Sequence, residues 1–396
     1  MNKKKALFAG TFDPFTKGHL SIVIQAMTVF DQVIIAVGKN LNKCCLFTAE
    51  ERVELINKSI QDFVYQIEKA PLSQHQFNPV EKSVAGKLLD SAKLKIITYD
   101  DLTVDVALKE GASAIIRGER MIGDHDAEMQ LAQINQELLD IRNAAIVQML
   151  IPCTKPELTF ISSSNVKKLC AQGEYIAAMK YVMPSVHNKL MEHYLKQRMQ
   201  KLLGSHFDAN KWKELVKSYT YNRYYHTLSH IGYALNVLDM IKEPYFDKIP
   251  YVAIELAIFY HDYYCSGNTD DEKLSAKKAV ADYGYLTDKK LLSDLILATA
   301  QDYKAPDHWP IRELANVMRD IDYAILYDKA NYGWYSLGIC LEASLIFDIE
   351  KYIEKRAEFL KKASDMTFLC HTPRLTKNFG DAQNNIRNEY AYWLNL

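Results

Sequence analysis

No stretch of this chain stays apolar for the roughly 18 residues a membrane span needs, so none is expected. The lead MNKKK is basic, but the apolar run behind it breaks at Gly10 and Asp13, which is too short for a signal peptide. The seven cysteines include no CxxC pair, and only Cys44 and Cys45 are close neighbours. That excludes the common spacing of a structural zinc site and fits reduced thiols in a cytoplasmic protein better than disulfides. Charge of one sign is also lacking. The formal net charge is -1, which offers no basic field to nucleic acid or an anionic membrane. Neither an internal repeat nor a low-complexity tract appears. What the sequence does have is core material: 48% apolar and 24% charged residues argue against disorder, and 396 residues make two domains the default.

The two halves follow different patterns. Up to about residue 180, short β-branched runs (KALFAG, QVIIAVG, KLKIITY, AIIRG, AIVQMLI) alternate with helical patterns. Strand and helix in rotation imply an α/β Rossmann-like parallel sheet, with ligands gathered outside the carboxyl ends of the strands. Thr48 with Glu51 three residues on reads as a capping box. Residues 69–93 interrupt the rhythm as an insertion with one short helix. A terminal helix from Tyr181 to Leu203 stops at Gly204, which places a domain boundary at 203/204. Beyond it, IGYALNVLDMIK, VAIELAIFYHD, KKLLSDLILATAQ and IEKYIEKRAEFLKKASD all read as helices, so residues 204–396 are expected to be all-α.

Three clusters stand where the parallel sheet would collect a ligand. In GTFDPFTKGH, Gly10 permits a tight exit from the strand, Pro14 stiffens the turn and Gly18 admits close backbone approach. Thr11 and His19 add donors beside a helix start, which already favours phosphate. The GxxxxGK(S/T) spacing of a P-loop is absent. In IIRGERMIGDHDAEMQLA, Arg117 and Arg120 follow a buried strand, and Asp124 and Glu128 share a helix face. The four can form a solvated charge ladder, or set arginines on phosphate and acids on ribose. In FISSSNVKKL, one serine would suffice as an N-cap, and three imply hydroxyls offered to an anion.

These pieces, with FTAEERVEL, resemble in order and spacing the bacterial phosphopantetheine adenylyltransferases of the nucleotidyltransferase superfamily, over residues 5 to about 190. The resemblance implies adenylyl transfer from ATP, with Mg²⁺, to 4′-phosphopantetheine, giving dephospho-CoA and pyrophosphate. It implies that His19 stabilises charge at the α-phosphate, that Thr11 and Lys43 hold the attacking phosphate, and that Arg117 joins them. Gly10, Phe12, Gly118, Arg120, Glu128 and Ser162, Ser163 and Ser164 fall on ATP-site positions, and Thr103 on the acceptor side. Members are usually hexamers, so a homo-oligomer is implied. This sequence has NKCCLF where a Lys-Pro pair is common, and Leu158 where Trp often stands.

In the second half, RYYHTLSH sets His226 and His230 one turn apart if the segment is helical. LAIFYHDYYC puts His261 and Asp262 side by side in an apolar helix, where an unpaired carboxylate needs a counter-charge such as a divalent cation. RDIDYAIL adds Asp320 and Asp322. Histidine and carboxylate from three helices make a mixed N/O shell for Mn²⁺, Fe²⁺, Mg²⁺, Ni²⁺ or Zn²⁺. Together with TDDEKLSA, these segments resemble a phosphohydrolase group of the HD superfamily, over about residues 205 to 396. The resemblance implies His230, His261, Asp262 and Asp322 as metal ligands, with Asp320 the alternative to Asp322. It implies His226 as general acid or phosphate contact and Glu272 as orienter of the attacking water. Asp302 stands where this group often has His. Two overall readings stay open: a bifunctional enzyme, or an adenylyltransferase whose helical half regulates or assembles without turnover.

Overall fold

The computed structural model describes residues 3–39, 44–69, 77–119, 122–153, 156–220, 223–245, 251–300, 311–365 and 382–394. Lys43, Arg120 and Asp302 lie outside the described residues, as does the side chain of Asp124. Five strands form in order: β1 (Lys5–Gly10), β2 (Gln32–Gly38), β3 (Leu94–Tyr99), β4 (Ala114–Glu119) and β5 (Val147–Pro152). Each corresponds to one of the β-branched runs. They pair in parallel in the order β3-β2-β1-β4-β5. The chain runs outward from β1 to β3, then returns to the other side, so the switch point lies between β1 and β4. Ligand clefts in open α/β sheets sit there, at the carboxyl ends.

Helices alternate with these strands: α1 (Lys17–Val29), α2 (Ala49–Lys69), α3 (Pro79–Leu88), α4 (Thr103–Glu110) and α5 (Ile122–Ile141), then α6 (Ser163–Ala171), α7 (Tyr175–Met179) and α8 (Pro184–Leu203). The pleat divides the sheet's side chains between two cores. Ala6, Phe8, Ile35 and Ile116 pack against Val23, Ile56, Val84 and their neighbours from α1, α2 and α3. Leu7, Ile34, Ala36 and Ile115 pack against Val104, Ala107 and Leu139 from α4 and α5. Among its described residues the insertion carries the short helix α3, built into the core. Asn78 and Glu81 close its capping box, and Thr48 and Glu51 make the same reciprocal pair at α2.

The second unit is helical throughout its described residues: α9 (Ala209–Ser218), α10 (Leu228–Tyr245), α11 (Tyr251–Tyr260), α12 (Asp271–Tyr283), α13 (Lys289–Leu297), α14 (Ile311–Tyr327), α15 (Tyr332–Ala343), α16 (Ile349–Asp365) and α17 (Ala382–Leu394). Its centre is α11, buried at every position from Ala253 to Tyr260. No helix among the described residues is long and apolar enough to cross a membrane.

The main division falls within α8, between Leu190 and Met191, rather than at Gly204, and the short stretch Gly173–Ile176 also groups with the helical unit. The reason is local. Early in α8, Ser185 N–H donates to Asp62 and Lys189 pairs with Glu51. Later in the same helix, the Arg198 guanidinium binds Asp239 and Glu255 of the helical unit. Sequence periodicity marks the end of a helix but not where its packing partners change.

Candidate functional sites

In the α/β unit the β1–α1 loop is held at four points. The buried Arg52 donates to the carbonyls of Thr11 at 2.5 Å and Gly38 at 2.9 Å, and through Nε to Phe47 at 3.1 Å. Asp13, 3% exposed, accepts from the amides of Leu46 and Phe47 and pairs with Lys167 at 2.8 Å. Ser163 Oγ donates to the Pro14 carbonyl at 2.8 Å. Thr16 caps α1 in a box with His19: Thr16 N–H donates to His19 Nδ1 at 3.0 Å, and His19 N–H donates to Thr16 Oγ1 at 3.3 Å. A backbone N–H can only donate, so Nδ1 is the acceptor and the imidazole proton sits on Nε2. Phe8, Phe12 and Phe15 surround the ring and fix its plane. Phe12 adopts φ 52°, a left-handed conformation that costs a bulky residue energy and recurs at functional sites.

Arg117 leaves the end of β4 and donates to Glu128 at 3.0 Å, while its Nε is buried with no partner among the described residues. An unpaired buried guanidinium donor is costly unless something else accepts from it. Gly118 has a packing role: a Cβ there would come 2.1 Å from Ile22 Cδ1, so β4 and α1 need the missing side chain. The three serines divide their work differently from the expectation. Ser162 caps α6 through Asn165 N–H, Ser163 ties down Pro14, and Ser164 is exposed. Two of the three hydroxyls thus act on the protein itself. Thr103 opens α4 after the edge strand β3, with its Oγ1 3.5 Å from Tyr99 OH.

Arg52, Asp13 and Lys167 carry the loop, yet the sequence did not single them out, because their partners lie far along the chain. Replacing Arg52 by Leu is expected to cost about 2–4 kcal/mol, since charged donors to several buried carbonyls are lost together. The urea midpoint of the α/β unit, followed by circular dichroism, checks this.

In the helical unit, His230 lies in the first turn of α10, and His261 and Asp262 follow directly after α11. Two expectations are corrected here. His226 precedes α10 instead of sharing its face, and His261 and Asp262 stand past the helix end rather than inside it. The imidazoles of His226 and His230 still approach, with ring centroids 5.8 Å apart. Three amides explain the non-helical entry: those of Tyr224, Tyr225 and His226 all donate to Glu342 Oε1, at 2.7, 2.8 and 2.8 Å. Glu342 Oε2 accepts from His226 Nδ1 at 2.5 Å.

Four ligand-type atoms converge behind that turn. His230 Nε2 lies 3.0 Å from His261 Nε2, 3.4 Å from Asp262 Oδ2 and 3.3 Å from Asp322 Oδ1. His261 Nε2 lies 2.9 Å from Asp262 Oδ2 and 3.5 Å from Asp322 Oδ1. For bonds of about 2.1 Å, ligand atoms around one ion stand about 3.0 Å apart in an octahedron and about 3.4 Å in a tetrahedron. The cluster has those separations. His261 Nδ1 donates to the Ile258 carbonyl at 2.8 Å, which leaves the Nε2 lone pair facing inward, as in metal-bound histidines. His230 Nδ1 is buried without a hydrogen-bond partner among the described residues, and the buried Asp262 Oδ2 has the two imidazole Nε2 atoms against it. Asp322, not Asp320, reaches the cluster, since two helical residues point about 200° apart.

Electrostatics tell the same story. Burial disfavours charge on His261, but Asp262 and Asp322 outweigh it and push its pKa up to about 10. Burial likewise opposes ionisation of Asp322, yet the two histidines hold it down to about 2, and they hold Asp262 well below its usual range. Two carboxylates thus favour positive charge in the space between the four side chains, a donor set that could hold a cation. The cluster opens into a cleft of about 430 Å³, lined by His226, Asp262, Glu272, Asp322, Tyr323 and Lys355 among others.

Residues 7–169 match the Cytidylyltransferase-like family. Among curated proteins, the chain is similar to the phosphopantetheine adenylyltransferase of Porphyromonas gingivalis, 36% identical over 177 residues, which are 45% of this chain and 94% of the relative. The enzyme of that name from Frankia casuarinae is 33% identical over 194 residues, covering 49% of this chain and 99% of the relative. That from Bacteroides thetaiotaomicron is 34% identical over 174 residues, covering 44% and 93%.

Proposed function

The chain belongs, through its α/β unit, to the phosphopantetheine adenylyltransferase family, and from that premise we infer that it transfers the adenylyl group of ATP to 4′-phosphopantetheine. The acceptor's phosphate oxygen attacks the α-phosphorus, the bond to the β-phosphate breaks, and pyrophosphate leaves. The observation that carries this reading is the pinned β1–α1 loop, which holds His19 Nε2–H and the start of α1 at the switch point. Transfer of this kind needs placement and charge neutralisation more than covalent help. His19 donates from Nε2 to an α-phosphate oxygen. Arg117 offers Nε, with Glu128 steering its plane. Lys43 and Thr11 hold the attacking phosphate, Arg120 and Ser164 complete the ATP contacts, and Mg²⁺ enters with ATP as part of the substrate. Supplying ATP with 4′-phosphopantetheine is expected to release pyrophosphate stoichiometrically with dephospho-CoA. Release with nicotinate mononucleotide instead, and none with 4′-phosphopantetheine, would overturn the reading.

For the helical unit we propose a metal-dependent phosphohydrolase acting on a phosphate ester. His230, His261, Asp262 and Asp322 would hold the divalent ion, and their mutual separations and the inward-facing Nε2 of His261 support it. Such an ion, when bound, lowers the pKa of water from 15.7 toward about 7 and neutralises phosphate charge. The protein's own part is orientation. Glu342 fixes His226 so that its ring lines the cleft, and Glu272 lines the same cleft where it can orient the attacking water. The rival reading, a regulatory module, predicts ion binding without turnover on any ester.

A further inference from the structure

The cleft over the metal cluster is lined by more than the cluster and the groups beside it. Tyr335, Phe347, Tyr352 and Phe359 add four rings, and Ile325 and Ile339 add aliphatic wall. Two of these rings are fixed from behind. Arg356, 6% exposed, donates through Nε and Nη2 to Glu389, both at 2.9 Å, and through Nη1 to Tyr335 Oη at 2.9 Å. Glu389 also accepts from Tyr332 Oη at 2.6 Å and from Trp393 Nε1 at 3.0 Å. The same guanidinium lies 5.1 Å from the Phe359 ring centroid. Residues of α15, α16 and α17 thus hold Tyr335 in one network. Because Tyr335 Oη accepts from Arg356, its own hydrogen is what it has to give. Tyr225, 3% exposed, lines the cleft as well, and its hydroxyl has no partner among the described residues. A buried hydroxyl of this kind is costly unless a bound molecule or water takes its hydrogen bond.

Charge narrows the ligand further. The acids of the cleft are Asp262, Glu272 and Asp322, and among the described residues its lysine and arginine are Lys355 and Arg356. Glu389 takes up Arg356, while Lys355 is exposed, with its Nζ 4.2 Å from the Phe347 ring centroid. A bound ion can neutralise one phosphate, but this lining offers no group of cations for a second and a third. At about 430 Å³ the space is near the lower end of small-molecule sites, roughly 300–1,000 Å³. We propose that the cleft takes a phosphomonoester with a single phosphate, whose alcohol half is a flat, uncharged ring bearing a hydrogen-bond acceptor. The ring lies among Phe347, Tyr352 and Phe359, and Tyr335 donates to its acceptor. Tyr225, whose ring centroid is 4.8 Å from that of His230, donates at the phosphate end. This deepens the phosphohydrolase reading and rests on it for the ion and the bond broken. There, the oxygen of water joins phosphorus, the ester P–O bond breaks, and the proton that the water gives up goes to the departing alkoxide.

The test uses the full chain with Mn²⁺ and four esters: benzyl phosphate, uridine monophosphate, uridine triphosphate and glycerol 2-phosphate. Uridine rather than adenine nucleotides keep the ATP site of the α/β unit out of the measurement. By phosphate release, kcat/KM for both ring monoesters is expected to exceed that for glycerol 2-phosphate by about tenfold, and uridine monophosphate should exceed the triphosphate by as much. Tyr335→Phe should raise KM for uridine monophosphate about three- to tenfold and leave benzyl phosphate, whose ring has no acceptor, unchanged. A merely structural role for Tyr335 would move both. Phe347→Leu is a second variant, expected to bring both ring esters toward glycerol 2-phosphate without altering the latter. Equal rates on ring and glycerol esters overturn the proposal. So does a triphosphate used as well as the monophosphate, or a Tyr335→Phe chain that treats the two ring esters alike. Equilibrium dialysis separates the two readings. Uridine monophosphate bound in preference to the triphosphate, with no ester hydrolysed, would end the phosphohydrolase reading and keep this ligand class. Glycerol 2-phosphate hydrolysed with no preference for a ring would do the reverse.

Discussion

Replacing His19 by alanine is expected to slow pyrophosphate release by about 10²–10³-fold, equivalent to about 2.7–4 kcal/mol of transition-state stabilisation. The expectation rests on the tautomer. Thr16 N–H claims Nδ1, so the only proton the neutral ring can donate is on Nε2. On the proposed reading that donor meets charge as it develops at the α-phosphate, so its loss should fall on kcat with little change in KM. Alanine also deletes the capping acceptor, at about 1 kcal/mol of stability. His19→Asn separates the two effects, because the asparagine carbonyl oxygen can take the place of Nδ1 but nothing replaces Nε2. It should restore the melting temperature and leave the rate low. A rate restored together with stability would show that His19 serves only as a cap.

The fold was legible where the code is local. Five apolar runs became five strands: the inner strands β1, β2 and β4 are buried on both faces over most of their length and need continuous apolar sequence, while the edge strands β3 and β5 keep exposed positions. The capping boxes at α2 and α3 could be closed only by residues three apart. Less legible was anything set by a distant partner. His226 and His230, four apart, satisfy a helical spacing, yet Glu342, more than a hundred residues on, takes the amides of 224–226 and delays α10 to Leu228. Asp13 is another case: within GTFDPFTKGH it looks like a turn residue, while its carboxylate is spent on Leu46, Phe47 and Lys167. The choice between Asp320 and Asp322 needed the helix phase of α14 relative to α10, which no single segment contains.

Divalent ion should raise the melting temperature of the wild-type helical unit, and the rise should vanish in His261→Ala. An ion that binds the folded state alone stabilises it by RT ln(1 + [L]/Kd), about 2.7 kcal/mol at a hundredfold excess over Kd. For a unit of this size that is a shift of roughly 5–10 °C. His261 is the sharpest choice of site. Its Nε2 lies within 3.5 Å of three other ligand atoms, and Ile258 already holds its ring in the binding tautomer. Mn²⁺ is a suitable probe, read by differential scanning fluorimetry and by metal content after gel filtration. Asp322→Asn, which keeps volume and removes one charge, should weaken the shift without abolishing the fold. Hydrolysis of a panel of phosphate esters should fall to background in His261→Ala, while pyrophosphate release by the α/β unit of the same chain persists. A wild-type chain that binds Mn²⁺ yet turns over no ester would assign the cluster to regulation. One that shows neither shift nor bound ion would mean the four side chains are held by their own charge pairing, and the phosphohydrolase reading would fall.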